Sequence, residues 1–180
     1  MTLFPTPSQT VGPFYGYALP FPGGGDIAPA GHPATITVHG CVRDGNGDPV
    51  PDALLEFWQG SGRPGSLRRD PVTGGFTGRN GMDFTGFGRV PTDADGRWVV
   101  TTLPPPEPTP YLSVCVFARG LMHHLFTRAY VGDAAADPLL ATIPEQRRST
   151  LTAVPTGERA YRFDIHLQGE KETVFLDFHG

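Results

Sequence analysis

Six histidines, His32, His39, His123, His124, His166 and His179, are the first candidates for metal ligation in this chain. Two histidines two residues apart on a strand point to one face and can grip one ion, and the sequence has no such pair. His123 and His124 are adjacent, so on a strand they face opposite ways. Asp164 and His166 do share a face, with Arg162 and Gln168, opposite Tyr161, Phe163, Ile165 and Leu167. A polar strand face above a buried one accounts for these four more simply than the start of a metal site. There is no Cys-x-x-Cys, no His-Glu-x-x-His, no phosphate loop and no Gly-x-Ser-x-Gly. Residue types alone show no catalytic centre.

Two places suit anion recognition instead. Arg119 ends an apolar run and precedes Gly120, so its planar fork can be presented to a carboxylate. A solvated strand-end arginine or a surface ion pair explains it more simply on the residues alone. Thr10-Val11-Gly12-Pro13 offers a hydroxyl, a backbone that permits close approach and a rigid turn, or merely a turn in a terminal arm.

The elements that must hold these groups are short strands. Alternation begins at Ala34, with Ile36, Val38, Gly40 and Val42 on one face and Thr35, Thr37, His39 and Cys41 on the other. Asp44-Gly45-Asn46-Gly47 is a turn, and a second strand is expected at 53–59. Residues 60–87 are Gly-rich and irregular, with Arg63, Arg68, Arg69 and Arg79 scattered through them. A loop of that length in a compact domain is usually functional or disordered. Further strands are expected at 96–102, 111–118, 124–131, 160–168 and 173–178, the last two joined by a hairpin loop at 169–172. Residues 137–151 read as helical, in short pieces because of Pro144. Residues 1–33 form an arm rich in Pro, Gly and aromatics. Phe4, Phe14, Tyr15, Tyr17 and Phe21 are costly to leave in water, so the arm is expected to pack on its own body or a partner. The expectation is an all-β chain: one β-sandwich domain at 34–180, with an extended arm at 1–33 and a short helical insertion before the last strands.

Composition bounds the rest. The chain has 180 residues and a net charge of −4 without long charge runs, which argues against a nucleic-acid or membrane surface. Its 24 glycines and 20 prolines punctuate apolar runs rather than forming low-complexity tracts. Cys41 and Cys115 lie in strand-like runs and make no disulfide framework. No signal peptide or membrane span is apparent, so a cytoplasmic setting is expected.

From Gly40 the pattern becomes specific. The run 40–59 combines a Gly-rich turn, Pro49-Val50, and Glu56-Phe57-Trp58-Gln59. With Gly86-Phe87-Gly88-Arg89-Val90-Pro91, Phe117-Ala118-Arg119-Gly120, Asp164-Ile165-His166-Leu167-Gln168-Gly169 and the start at 5–14, it resembles the intradiol ring-cleavage dioxygenases over nearly the whole chain. That family binds Fe(III) with two tyrosines and two histidines, the latter as His-x-His on a strand. Tyr111 and Ser113 stand where those histidines would be, and no tyrosine lies between Tyr17 and Tyr111, where the family places its other ligands. The chain thus resembles the alpha, non-iron subunits within the family's protocatechuate-cleaving branch. The resemblance implies an iron-bearing beta subunit as partner in a hetero-oligomer, with Fe(III) held by that beta subunit and no catalytic or metal residue here. It also implies a pocket wall made of Thr10, Gly12, Pro13, Phe14 and Arg119; the family usually has tyrosine at the position of Phe14. Two other readings remain: a free-standing β-sandwich binding or scaffold module, and a lone metalloenzyme using Asp164, His166 and a further donor.

Overall fold

A computed structural model of the chain describes residues 7, 9, 10, 12, 14–60, 67–134 and 137–178. Pairing begins with β1 (Ile36–Arg43), whose alternation is realised as a strict buried/half-buried pattern. It lies antiparallel to β6 (Arg97–Thr102), with Ile36 opposite Thr102 and Gly40 opposite Trp98. On its other side β1 pairs in parallel with β10 (Ala160–Arg162) and then with β11 (Ile165–His166). β9 (Val154–Gly157) completes this sheet against β10. The second sheet runs in the order β5 (Phe87–Pro91), β2 (Leu54–Trp58), β7 (Tyr111–Phe117), β8 (Leu125–Tyr130). All of its neighbours are antiparallel.

The two sheets close on one apolar interior. Ile36, Val38 and Val42 of β1 and Trp98 and Val100 of β6 meet Leu55 and Phe57 of β2 and Leu112, Val114 and Val116 of β7. Phe57 and Trp98 lie with ring centroids 4.9 Å apart. The chain is therefore an all-β sandwich whose inner residues alternate with outward polar ones, as hydrophobic period-2 patterning dictates. The face containing Phe163 and Ile165 is buried, and Tyr161 and Leu167 pack against it. Among the described residues no helix is long and apolar enough to cross a membrane.

Several elements depart from the sequence expectation. The 60–87 region carries a hairpin, β3 (Leu67–Arg69) with β4 (Phe76–Arg79). Its turn is held by the Asp70 carboxylate, which accepts from the amides of Val72 and Thr73 at 2.8 Å. The strands span only three and four residues, so they leave little periodic signal. The expected strand at 160–168 is split into β10 and β11. The expected strand at 173–178 is reduced to a single bridge between Leu176 and Phe126. After 169–172 the chain returns to β11, where the Thr173 amide donates to the His166 carbonyl at 2.9 Å, and then crosses to β8 of the other sheet. A stretch that switches sheets cannot run as one straight strand. The helical region does break into short pieces, α2 (Pro138–Thr142) and α3 (Glu145–Arg148), followed by a 3₁₀ turn at Ser149–Leu151.

The arm begins its described path with α1 (Tyr15–Ala18), a single turn where extended chain was expected. It then runs along the outside of the second sheet and into the seam between β5 and β6. Phe21 packs on Phe76 and Phe87. Gly24 accepts from the Arg89 amide and Gly25 from that of Thr101, so this segment stitches the two sheets together. A side chain at Gly24 would meet the Arg89 carbonyl oxygen at 2.1 Å, so only glycine fits there. Arg79 of the hairpin clamps the seam by donating to the carbonyls of Gly23 (2.6 Å), Gly24 (2.7 Å) and Phe87 (2.9 Å). Burial pushes this guanidinium down to about 10, still protonated at neutral pH.

Candidate functional site

The two ends of β7 hold the groups worth considering. At its C-terminal end the register fixes the geometry. Leu54 of β2 pairs with Phe117 of β7. Continuing that antiparallel register by two residues sets Asp52 opposite Arg119, with both side chains on the same outer face. There the Arg119 Nε donates to Oδ2 of Asp52 at 2.5 Å, and Nη2 stands 2.5 Å from the same oxygen in an ion pair. Gly120, at φ +88°, turns the chain away immediately afterwards, a conformation that favours glycine. The Arg119 side chain stays 68% exposed while that of Asp52 is 28% exposed.

A third residue joins them from the arm. Tyr15 is buried, and its hydroxyl donates to the backbone carbonyl of Asp52 at 2.5 Å. Burial raises the Tyr15 phenol above its ordinary value and the Asp52 carboxylate adds to the rise, while Arg119 opposes it. Phe14, the next residue back along the arm, is 81% exposed. Thr10 is exposed and Gly12 partly so, and no hydrogen bond among the described residues ties either to Arg119. Pro13 lies outside the described residues. Of the sequence-derived set, then, Arg119 is joined through Asp52 to Tyr15, the chain neighbour of Phe14. Asp52, which makes this link, is not among the residues the sequence suggests for the site, and Tyr15 is suggested there only as an arm aromatic. The signal was available in part, because two residues before β2 and two after β7 must face each other once the strands pair.

At the N-terminal end of β7, Tyr111 and Ser113 occupy the positions where the family resemblance puts histidine ligands. Their cross-strand neighbours are Tyr130 and Arg128. The Arg128 guanidinium carbon stands 4.0 Å from the centre of the Tyr111 ring. Arg128 Nη1 donates to Asp137 Oδ2 at 3.2 Å and to the Tyr130 hydroxyl at 3.1 Å. Asp137 is buried and also caps α2, accepting from the Leu139 amide at 2.8 Å. Burial raises the Tyr130 phenol, against the opposing hydrogen bond from Arg128. These residues do not fit a ferric ion: the imidazoles are replaced, and a fixed cation covers the aromatic ring beside them. The cleft here, about 810 Å³ and bordered by Glu107, Pro110, Tyr111, Arg128 and Asp137, is thus already committed to an internal ion pair. Asp164, the other carboxylate considered from the sequence, pairs with Arg162 at 2.8 Å and accepts the Cys41 amide at 3.0 Å, a structural role. Among the described residues no three or more His, Cys, Asp or Glu side chains group closely enough to hold a metal.

Comparison with known proteins identifies the lineage. No protein-family model matches the chain. The protocatechuate 3,4-dioxygenase alpha chain of Burkholderia cepacia is 41% identical over 202 aligned residues, spanning 98% of both chains. The corresponding alpha chain of Pseudomonas putida is 35% identical over 206, spanning 96% of both. The chain belongs to the protocatechuate 3,4-dioxygenase alpha-chain family. As a member it is a subunit of an intradiol ring-cleavage dioxygenase, and the scaffold-module reading is not favoured. Among solved structures, the dioxygenase domain of a dioxygenase carbohydrate-binding protein fusion from Streptomyces sp. SirexAA-E superposes with a TM-score of 0.55 at 24% identity, covering 92% of this chain and 99% of that one. Hydroxyquinol 1,2-dioxygenase from Pseudomonas putida DLL-E4 gives 0.51 at 20% identity, covering 89% and 65%. At these identities the structural matches establish the shared sandwich and nothing finer.

Proposed function

We propose that this chain is the non-iron subunit of a protocatechuate 3,4-dioxygenase. In this reading it completes the substrate pocket of an Fe(III) site carried by an iron-bearing beta chain. The reaction is the cleavage of protocatechuate by O2, between its two hydroxyl-bearing carbons, to 3-carboxy-cis,cis-muconate, a step of aromatic degradation. The contribution of this chain is wall and orientation, from Thr10, Gly12, Pro13 and Phe14, and charge complementarity to the substrate carboxylate, from Arg119. The observation that carries the reading is the state of Arg119. Its Nε/Nη2 edge is held by Asp52, while among the described residues Nη1 has no partner and the guanidinium is largely exposed. A guanidinium held by one edge can offer the other, two-pronged edge to a carboxylate.

Exposed aromatics support a partner. Phe14 is 81% and Tyr17 88% exposed on the arm, and Trp58 is 46% exposed on β2. Large aromatics of this kind are enriched where a second protein covers them. Both cysteines are free thiols, which goes with a cytoplasmic setting.

The test is co-expression with a candidate iron-bearing chain, followed by size exclusion, iron analysis and visible absorbance. The expected result is a mixed complex that carries iron, shows tyrosinate-to-Fe(III) colour and cleaves protocatechuate, while this chain alone is colourless. About one tightly held iron per isolated chain would overturn the reading.

A further inference from the structure

We infer that Asp52 is the positioning residue that sets Arg119, and with it the adjacent arm, for recognition of a carboxylate-bearing aromatic substrate; this rests on the reading of Arg119 given above. Three observations carry it. First, the single carboxylate oxygen Oδ2 accepts from Arg119 Nε and lies 2.5 Å from both Nε and Nη2. That mode leaves both Nη1 hydrogens and the second Nη2 hydrogen facing away from Asp52. The Nη2 hydrogen and the Nη1 hydrogen beside it are the two donors that a planar carboxylate engages in a bidentate pair. Secondly, the Asp52 backbone carbonyl accepts the Tyr15 hydroxyl at 2.5 Å. One residue therefore ties a strand end to an arm segment more than one hundred residues earlier in the chain, and Phe14 adjoins the tie. Thirdly, Arg119 is 68% exposed beyond a glycine turn, so without Asp52 its long side chain has no other described partner to limit its rotamers.

Asp52 has two conceivable effects on an incoming carboxylate, and they differ in sign. As a positioning group it pre-pays the ordering of Arg119, so its loss weakens binding. As a mere counter-charge it competes with the substrate, so its loss strengthens binding. The geometry points to the first, because Asp52 sits on the Nε/Nη2 edge and leaves the equally two-pronged Nη1/Nη2 edge for an incoming carboxylate.

The experiment measures KM and kcat for protocatechuate and for catechol, which lacks the carboxylate, in the assembled complex with its iron-bearing partner. The variants are Asp52→Ala, Asp52→Asn, Arg119→Ala and the double variant Asp52→Asn/Arg119→Ala. Iron content and visible absorbance establish that each complex is assembled. Asp52→Ala is expected to raise KM for protocatechuate about fivefold, and more than it does for catechol. Asp52→Asn keeps an oxygen acceptor and is expected to raise it less, in the same direction. Because Asp52 acts through Arg119, the double variant is expected to match Arg119→Ala. If Asp52→Ala does not assemble, Asp52→Asn and the double variant decide alone. A fall in KM, or equal losses for both substrates, overturns the positioning role. If Arg119→Ala itself leaves the preference between the two substrates unchanged, the carboxylate reading of Arg119 has failed, and not the Asp52 tie alone.

Discussion

At one end of β7, Arg128 lies over Tyr111 and pairs with Asp137, both partners mostly out of solvent at 24% and 6% side-chain exposure. At the other end, Arg119 pairs with Asp52 in the open, beside Tyr15. Each end thus combines an arginine, an aspartate and a tyrosine, yet burial divides their consequences. The buried pair makes its hydrogen bonds internally, with Tyr130 and the first turn of α2, and turns a would-be ligand site into a structural joint. The exposed pair adds little to stability but leaves a cation with a defined orientation facing outward. The same residue types make a brace where water is excluded and a recognition group where it is not.

The largest effect expected on breaking this comparison is at the buried end. Asp137→Ala removes the partner of a poorly solvated guanidinium and the cap of α2 together, and should destabilise the chain by about 3 kcal/mol, read as a lower denaturation midpoint. Discrimination between protocatechuate and catechol should remain. Loss of that discrimination with unchanged stability would mean that the Tyr111 end takes part in recognition. A subtler probe is alkaline titration, because one tyrosine at each end holds its proton above the ordinary phenol value of 10.0, chiefly through burial. A raised native value means that the stabilising contribution is fully present below pH 10 and is lost as pH rises through the raised values. Ultraviolet difference titration should therefore show tyrosinate forming late, and Tyr15→Phe should remove one late component while the Tyr130 component persists. No change in that variant would show that Tyr15 is not held at the Asp52 carbonyl.

How much of this was legible in the sequence follows from where the signals are local. The period-2 run Ile36, Val38, Gly40, Val42 became the inner face of β1 because alternation with one buried side leaves a single register. The face containing Phe163 and Ile165 was legible for the same reason. The β3–β4 hairpin was not, since Leu67–Arg69 and Phe76–Arg79 are too short to show a period, and their order comes from Phe76 packing on Phe21 and Phe87. The fate of 173–178 was hidden too, because a chain that leaves one sheet for the other is decided by the sandwich rather than by its own alternation. For the site, Arg119 was visible as a strand-end cation. Its partner Asp52 lies 67 residues away in the chain and emerges only once β2 and β7 are paired. The Arg128–Asp137 joint was missed because nothing in the apolar run at 124–131 indicates that its one arginine will be folded under α2.

The claim most in need of direct measurement is that the outward-facing cation of the Arg119 end reads the substrate carboxylate. It is tested by steady-state kinetics of the assembled, iron-loaded complex carrying Arg119→Ala, with protocatechuate and catechol side by side. A charge-assisted hydrogen bond of ~1.5–3 kcal/mol predicts a KM for protocatechuate raised more than about tenfold, with a smaller change for catechol. Equal losses for the two substrates would contradict it.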